Sequence, residues 1–307
     1  MPKMHISKSI HINAAPDKVF EKINDFNHWS AWSPWLIMEP AAQVKVAEDA
    51  KSYSWEGDRV GSGNMQVLEE VENKAIDYDL NFLKPWKSNA KVRFEVEPKG
   101  DGVDVTWKMD SSLPFFMFWM KKMMVAFVGM DYERGLAMLK DYVEDGEVHS
   151  KLEFKGENNF SGFSYIGIKR DCAIGEISEC MKEDFTKLGQ QVSNDQENVV
   201  GNAFSIYHNW DMVGGKVSYT AGIPVKSIPS GLENGLKGGE IPATKVYTIG
   251  HKGPYQHLGN AWSTLYNMDR SKAFKKNKQV HPFEVYLNDP AEVSENELIT
   301  EVNFAIK

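Results

Sequence analysis

Ala203-Phe204-Ser205-Ile206-Tyr207 and Pro282-Phe283-Glu284-Val285-Tyr286 are near copies set 79 residues apart. Each sits inside the same order of elements. SGFSYIGIKR reads as a strand, GEISECMKEDFTKLGQQV as a helix, and NAFSIYHNWD with GKVSYTAGIPV as a strand pair. ATKVYTIGHKG, YQHLGNAWSTLYNMDR, HPFEVYLNDP and ELITEVNFAIK then repeat strand, helix and strand pair. In the first helix Ile177, Met181, Phe185 and Leu188 share one face. A strand–helix–hairpin unit of this size buries its own sheet poorly, so the two copies must pack together. The repetition therefore predicts a pseudo-twofold domain over 161–307, with copies at about 161–228 and 240–307 and a groove along their seam. The Gly- and Pro-rich stretch between them reads as a connecting loop, and 148–160 as a polar linker.

Residues 1–147 follow another pattern. Ile6, Lys8, Ile10 and Ile12 alternate with Ser7, Ser9 and His11, as in a half-buried strand. Pro16 suits the first turn of a helix whose apolar face is Val19, Phe20 and Ile23. The Trp-rich stretch DFNHWSAWSPW is too broken by Ser and Pro for a long helix. SYSWEG, GNMQVLEEV, AIDYDLNFL, AKVRFEVEP and GVDVTWKMD then read as antiparallel strands bounded by turn residues. Tyr132, Leu136, Leu139 and Val143 form one face of a closing helix, with Glu133, Arg134, Lys140 and Asp141 opposite. A curved sheet gripping such a helix encloses an apolar space. Seven of the nine Trp and eleven of the fourteen Met precede residue 151, in keeping with an apolar, adaptable interior. Trp55, Phe82, Phe94, Trp107, Phe116, Trp119 and Leu136 are expected to line that cavity.

Several function classes are excluded or disfavoured. The net charge is −8, with 18 Lys+Arg against 24 Asp+Glu in residues 1–150 and 17 against 19 in 151–307. Neither half is basic, so no nucleic-acid partner is expected. The Lys272, Lys275, Lys276 and Lys278 cluster reads as a solvated loop. Cys172 and Cys180 form no CxxC pair, and the eight His show no ligand spacing, so no metal or cofactor is implied. The most apolar run, LPFFMFWMKKMMVAFVGM, carries Lys121 and Lys122 at its centre. It is read as buried or cavity-lining rather than as a membrane contact. With no targeting segment at the start, a cytoplasmic location is expected. Gly61-Ser62-Gly63 lacks the rest of a phosphate-binding signature and reads as a hairpin turn.

INAAPDKVFEKINDFNHWSAWSPW, SYSWEG and GSGNMQVLE resemble the START/polyketide-cyclase-like (SRPBCC) helix-grip superfamily across nearly all of 3–147. GHKGPYQHLGNAWSTLYN, PFEVYLNDP and ELITEVNFAIK resemble the GyrI-like effector-binding domain, across roughly 160–307. That domain is also the ligand-sensing half of AraC- and MerR-type regulators, whose helix-turn-helix pattern is missing from this chain. Together the resemblances imply an α+β protein. A helix-grip domain with a hydrophobic ligand cavity precedes a duplicated β-α-β-β effector-binding domain.

Within the second domain Glu284 stands out. Alternation sets Glu284 and Tyr286 on one strand face and Phe283, Val285 and Leu287 on the other. The resemblance implies that Glu284 forms the floor of an aromatic pocket for cationic or polar-aromatic ligands, flanked by Tyr255 and Trp262. A carboxylate among rings suits a cation, through charge and through ring faces. Tyr207, Trp210 and Tyr219 hold the related places in the first copy, where Ser205 replaces the acid. The expected function is binding, sensing or sequestration of a small hydrophobic or aromatic ligand. A small-molecule hydrolase using Glu284 and Tyr286 and a ligand-gated protein-interaction module are the alternatives. Catalysis is the weaker option, since a general base needs reach and a tuned pKa that sequence does not display. Asp25, His28, Glu56 and Asp58 are the acid–base candidates beside the cavity of the first domain, the acids read as solvated near turns and His28, next to Trp29, as a local hydrogen-bonding residue.

Overall fold

A computed structural model describes residues 3–193, 195–233 and 235–307, in two compact units, Met1–Ser150 and Lys151–Lys307. The first unit begins with β1 (Lys3–Ile12), α1 (Pro16–Asn24) and a four-residue α2 (Trp29–Trp32). Six strands follow: β2 (Gln43–Val46), β3 (Ser52–Gly57), β4 (Gly61–Val71), β5 (Ala75–Lys84), β6 (Ser88–Lys99) and β7 (Gly102–Ser112). A 3-10 segment, Phe115–Met120, leads into the long helix α3 (Lys121–Glu144). The strands form one antiparallel sheet in the order β1-β7-β6-β5-β4-β3-β2. Pro at the first turn of α1 starts that helix, and Val19, Phe20 and Ile23 are its buried side. The carbonyl of Ile23, left over at the helix C-terminus, accepts from Trp29 Nε1 (2.9 Å) and Tyr78 Oη (2.7 Å).

Two expectations about α3 change here. Arg134 and Asp141, assigned to its outer face, are 7% exposed. Arg134 donates to the carbonyl of Pro34 (3.2 Å) and to Asp131 (2.6 Å), and Asp141 accepts from the backbone N–H of His149 (3.1 Å). Arg134 is thus tied to the short segments after α1, and Asp141 to the chain just beyond the end of α3. Gly61–Gly63 is also not a turn but the start of β4. The turn is residues 58–60, and the buried Glu39 carboxylate accepts from all three of its backbone N–H groups, at 2.8–3.0 Å.

The second unit comprises β8 (Lys151–Phe160), β9 (Phe163–Ala173), α4 (Ile177–Val192), β10 (Phe204–Asp211) and β11 (Lys216–Val225). It continues with β12 (Leu236–Ile241), β13 (Thr244–Lys252), α5 (Gly259–Arg270), β14 (Phe283–Tyr286) and β15 (Ile299–Ile306). Its sheet runs β12-β9-β11-β10-β14-β15-β13-β8. That order is palindromic about the β10–β14 pair, as two copies related by a twofold require. The copies join through Phe204↔Val285, Ser205↔Glu284 and Ile206↔Phe283. Equivalent residues Ser205 and Glu284 face each other directly, so the pseudo-axis passes through this pair.

Two segments read as connections are strands. Residues 151–160, taken as linker, pair with β13, and 236–241, taken as loop, pair with β9. Each covers the outer edge of one copy, which would otherwise expose unpaired backbone groups. Their polar and Gly-rich composition fits edge strands with one solvated face. Among the described residues, no helix is long and apolar enough to cross a membrane.

Candidate functional site

Glu284 lies on β14, one residue from the strand's start, and is 2% exposed. Three side chains donate to it. Tyr207 Oη (2.9 Å) and Tyr286 Oη (2.7 Å) reach Oε2, and Trp262 Nε1 (2.5 Å) reaches Oε1. Each comes from a different element: β10 of the first copy, β14 itself, and α5 of the second. Tyr286 Oη also lies 3.0 Å from Ser205 Oγ, so the residue that replaces the acid in the first copy joins the same network. Phe185 of α4 meets the Tyr286 ring edge-on at 5.7 Å, which puts both helices on the Glu284 side of the sheet. The opposite face buries Phe204, Ile206 and Phe283 with Ile241 and Val246.

The rings form a continuous set. Tyr207 stacks on Trp210 (5.4 Å, 16°) and meets Trp262 edge-on (4.9 Å). Residues three apart on a regular strand point to opposite faces. The register shift between Tyr207 and Asn209 inserts one extra residue and returns Trp210 to the Tyr207 side. Tyr255 packs against Tyr286 at 5.8 Å, and Tyr266 stacks on Trp262 at 5.9 Å. Tyr255 and Tyr266 are 40% and 43% exposed, so the ring set runs from the buried acid to the surface.

Burial pushes the Glu284 carboxyl above the ordinary carboxylate range, against the pull of its three donors. Burial first, and then the Glu284 charge, hold the Tyr207 and Tyr286 hydroxyls far above the usual phenol range. Both therefore remain protonated donors. A carboxylate desolvated this way, with no cation beside it among the described residues, carries an electrostatic deficit that a positive ligand would relieve.

Tyr219 does not join this group. It is fully buried, and its hydroxyl donates to Asp184 of α4 at 2.7 Å. Asp184 is itself 0% exposed and also accepts from Arg170 at 2.6 Å. This second buried acid escaped the sequence reading because one Asp in a helix sequence rich in charges gives no periodic signal. Its neighbour Phe185 was visible as part of the apolar face.

In the first unit the seven expected cavity residues do not line one space. Phe94, Trp107 and Leu136 are 0–2% exposed and packed in the core. Trp107 stacks on Tyr132 at 3.9 Å and on Phe94 at 4.9 Å, with Trp32 edge-on at 5.7 Å. Side chains this fully covered are packed into the core rather than facing an open space. Gly135 permits it: a Cβ there would lie 2.8 Å from the Trp107 ring. Trp55 and Phe82 are half-buried at the edge of the core, in contact with each other at 6.0 Å. Phe116 and Trp119 are 74% and 69% exposed, which reverses the expectation of burial for their segment.

The four acid–base candidates have structural or surface roles. Asp25 accepts from the backbone N–H of Asn27 (2.7 Å), and His28 Nδ1 shares a hydrogen bond with Tyr142 Oη (2.8 Å). Glu56 pairs with Lys84 at the surface, and Asp58 is exposed in the turn capped by Glu39. In the basic loop, Lys276 lies over the Phe304 ring at 4.7 Å, so one of its four lysines is anchored by a ring rather than solvated.

Comparison with known proteins adds the following. A family described as polyketide cyclase / dehydrase and lipid transport matches residues 3–144, and a GyrI-like small molecule binding domain matches 158–307. No curated protein matches the chain. Among solved structures, the C-terminal domain of EcmrR is similar at 19% identity, covering 52% of this chain and 98% of that one, with TM-score 0.43. SAV2435 bound to tetraphenylphosphonium is similar at 13% identity, covering 50% and 94%, with TM-score 0.38. The Aha1 dimer from Colwellia psychrerythraea is similar at 17% identity, covering 47% and 98%, with TM-score 0.35. The chain thus joins an N-terminal domain of the polyketide cyclase (SRPBCC) family to a C-terminal GyrI-like small molecule binding domain.

Proposed function

We propose that the C-terminal unit binds a lipophilic aromatic cation, with Glu284 as its counter-charge and the surrounding Tyr and Trp rings as its walls. One observation carries this: a carboxylate 2% exposed, at the pseudo-twofold, whose three partners are all aromatic side chains. Ring faces and a desolvated acid together select for positive charge spread over an apolar body. In this reading the unit recognises its ligand in order to sense or sequester it. Neither matched family is a DNA-reading domain. The hydrolytic alternative is less well served, because three of the four acceptor positions of the Glu284 carboxylate are already taken by protein donors.

Titration calorimetry with a cationic dye and a neutral dye of the same shape tests the assignment. Glu284→Gln is expected to weaken the cation by about 30-fold, equal to some 2 kcal/mol, and the neutral dye less than about threefold. Equal losses for both would remove Glu284 from the site.

A proton should accompany the ligand. Burial raises the Glu284 pKa, so the free protein holds that carboxyl protonated to a higher pH than a solvated Glu. A cation prefers the carboxylate. Affinity therefore rises with pH through the raised pKa, and binding there releases a proton. Calorimetry in two buffers of different ionisation heat measures the release, and Glu284→Gln is expected to abolish it.

A further inference from the structure

Residues 113–130 hold the largest departure from the sequence expectation. Phe115, Phe116, Phe118 and Trp119 are 77%, 74%, 60% and 69% exposed, and Phe127 is 46% exposed. Only Leu113 is fully buried in the stretch before α3, while Met117 tucks partly onto the core. The 3-10 segment therefore turns its smaller apolar residues inward and its largest rings outward. Contiguous exposed aromatic surface of this kind marks an interaction site.

A second group lies at the same end of the sheet. β7 ends at Ser112 and β6 begins at Ser88, with Ala90 paired to Ser111 and the Ser111 hydroxyl donating to the Asn89 carbonyl at 3.0 Å. The β5–β6 connection, residues 85–87, thus leaves the sheet at the same end as the Phe115–Met120 segment. It carries Trp86, which is 50% exposed, and Lys87. Leu83, at the end of β5, is 47% exposed.

The charge at this end runs against that of the whole chain. The protein carries −8, yet Ser111–Met130 contains Lys121 and Lys122 with no Asp or Glu, and of the four Lys or Arg in Leu80–Phe94 three pair with acids (Lys84 with Glu56, Lys91 with Asp79, Arg93 with Asp77) while Lys87 does not. Lys87, Lys121 and Lys122 are exposed, and none is in a salt bridge among the described residues. Protruding Trp and Phe rings beside unneutralised lysines match a lipid headgroup region, where rings settle at the acyl boundary and lysines meet phosphate. Rings and lysines together supply the two signals that stable attachment to a bilayer requires.

We propose that this end of the N-terminal unit docks on anionic membrane surfaces, with Phe115, Phe116, Phe118 and Trp119 inserted at the interface and Lys87, Lys121 and Lys122 on the headgroups. The two central lysines make this attachment peripheral, and no helix among the described residues is long and apolar enough to cross a membrane.

The test uses the full chain and co-sedimentation with vesicles of phosphatidylcholine, either pure or doped with phosphatidylglycerol. The expected result is binding to the doped vesicles that weakens as salt rises. Each lysine contributes about fivefold, so Lys121→Gln with Lys122→Gln costs about 25-fold on doped vesicles and little on pure ones. Phe116→Ser with Trp119→Ser removes two inserted rings and costs about 100-fold or more on both. These four side chains are exposed, so the variants retain the wild-type thermal transition. Failure of the wild type to bind doped vesicles overturns the proposal. So does a concentration-dependent dimer in sedimentation velocity that Phe116→Ser with Trp119→Ser abolishes, since the rings would then join two copies of the chain.

Discussion

Trp107→Ala is expected to destabilise the N-terminal unit by about 4 kcal/mol, among the larger losses open to a single side chain in this chain. Trp107 is 2% exposed and lies between Tyr132 and Phe94, with Trp32 and Trp35 at its edges. Truncation opens a void that four rigid rings cannot close by small shifts. The indole has a second feature, because its Nε1 is buried with no hydrogen-bond partner among the described residues. Trp107→Phe keeps an aromatic ring in the slot and deletes that donor, so its cost is expected to stay below about 1.5 kcal/mol. A urea titration followed by tryptophan fluorescence reads both variants, since seven of the nine Trp report on this unit. Equal losses for alanine and phenylalanine would show that the stack is not what holds the sheet to α3.

Asp184→Ala is expected to cost the C-terminal unit about 3 kcal/mol. Asp184 is completely buried and accepts from Tyr219 Oη and Arg170. Removing the carboxylate strands a buried hydroxyl on β11 and leaves Arg170, which is 24% exposed, with only Glu183 as its acidic partner. Asp184→Asn retains an acceptor for Tyr219 and is expected to lose roughly half as much. Hydrogen exchange at the α4 and β11 amides localises the effect. Exchange that accelerates across the whole unit equally would argue against a local tie between helix and sheet.

The two buried acids of this unit differ in design. Asp184 has a cation beside it and ties a helix to the sheet. Glu284 has aromatic donors, no cation, and a route of rings to the surface through Tyr255 and Tyr266. Its raised pKa gives a sign that can be checked in the free protein. The neutral carboxyl is favoured in the fold, so its contribution to stability is fully present below the ordinary Glu pKa. That contribution is lost as pH rises through the raised one. The stability difference between wild type and Glu284→Gln should move in that direction over that interval.

Much of this architecture was legible in the residues. Period-two alternation marked β1 and β3–β7, and the 79-residue repeat fixed both copies of the second unit. The same repeat made Ser205 the counterpart of Glu284; that the two pair across the seam is a matter of register, which the structure decides. Alternation also assigned Glu284 and Tyr286 to one face. These are local or periodic properties, set by which residues tolerate a pleated, half-buried surface.

Long-range packing decided the rest. Strands 151–160 and 236–241 are polar and Gly-rich, and they became strands only because a neighbouring edge offered free backbone groups. The bulge beyond Tyr207 that brings Trp210 onto the acid's side is a register effect with no compositional mark. Trp107 and Trp119 are the same amino acid in the same unit, and Trp119 lies in the more apolar stretch. One is buried because Gly135 admits its ring against α3, and the other is exposed because the segment leading into α3 turns Leu113 and Met117 inward instead. Hydrophobicity fixes how much apolar surface must leave water. Which rings fit inside is a matter of volume, and volume is settled only when sheet and helix meet.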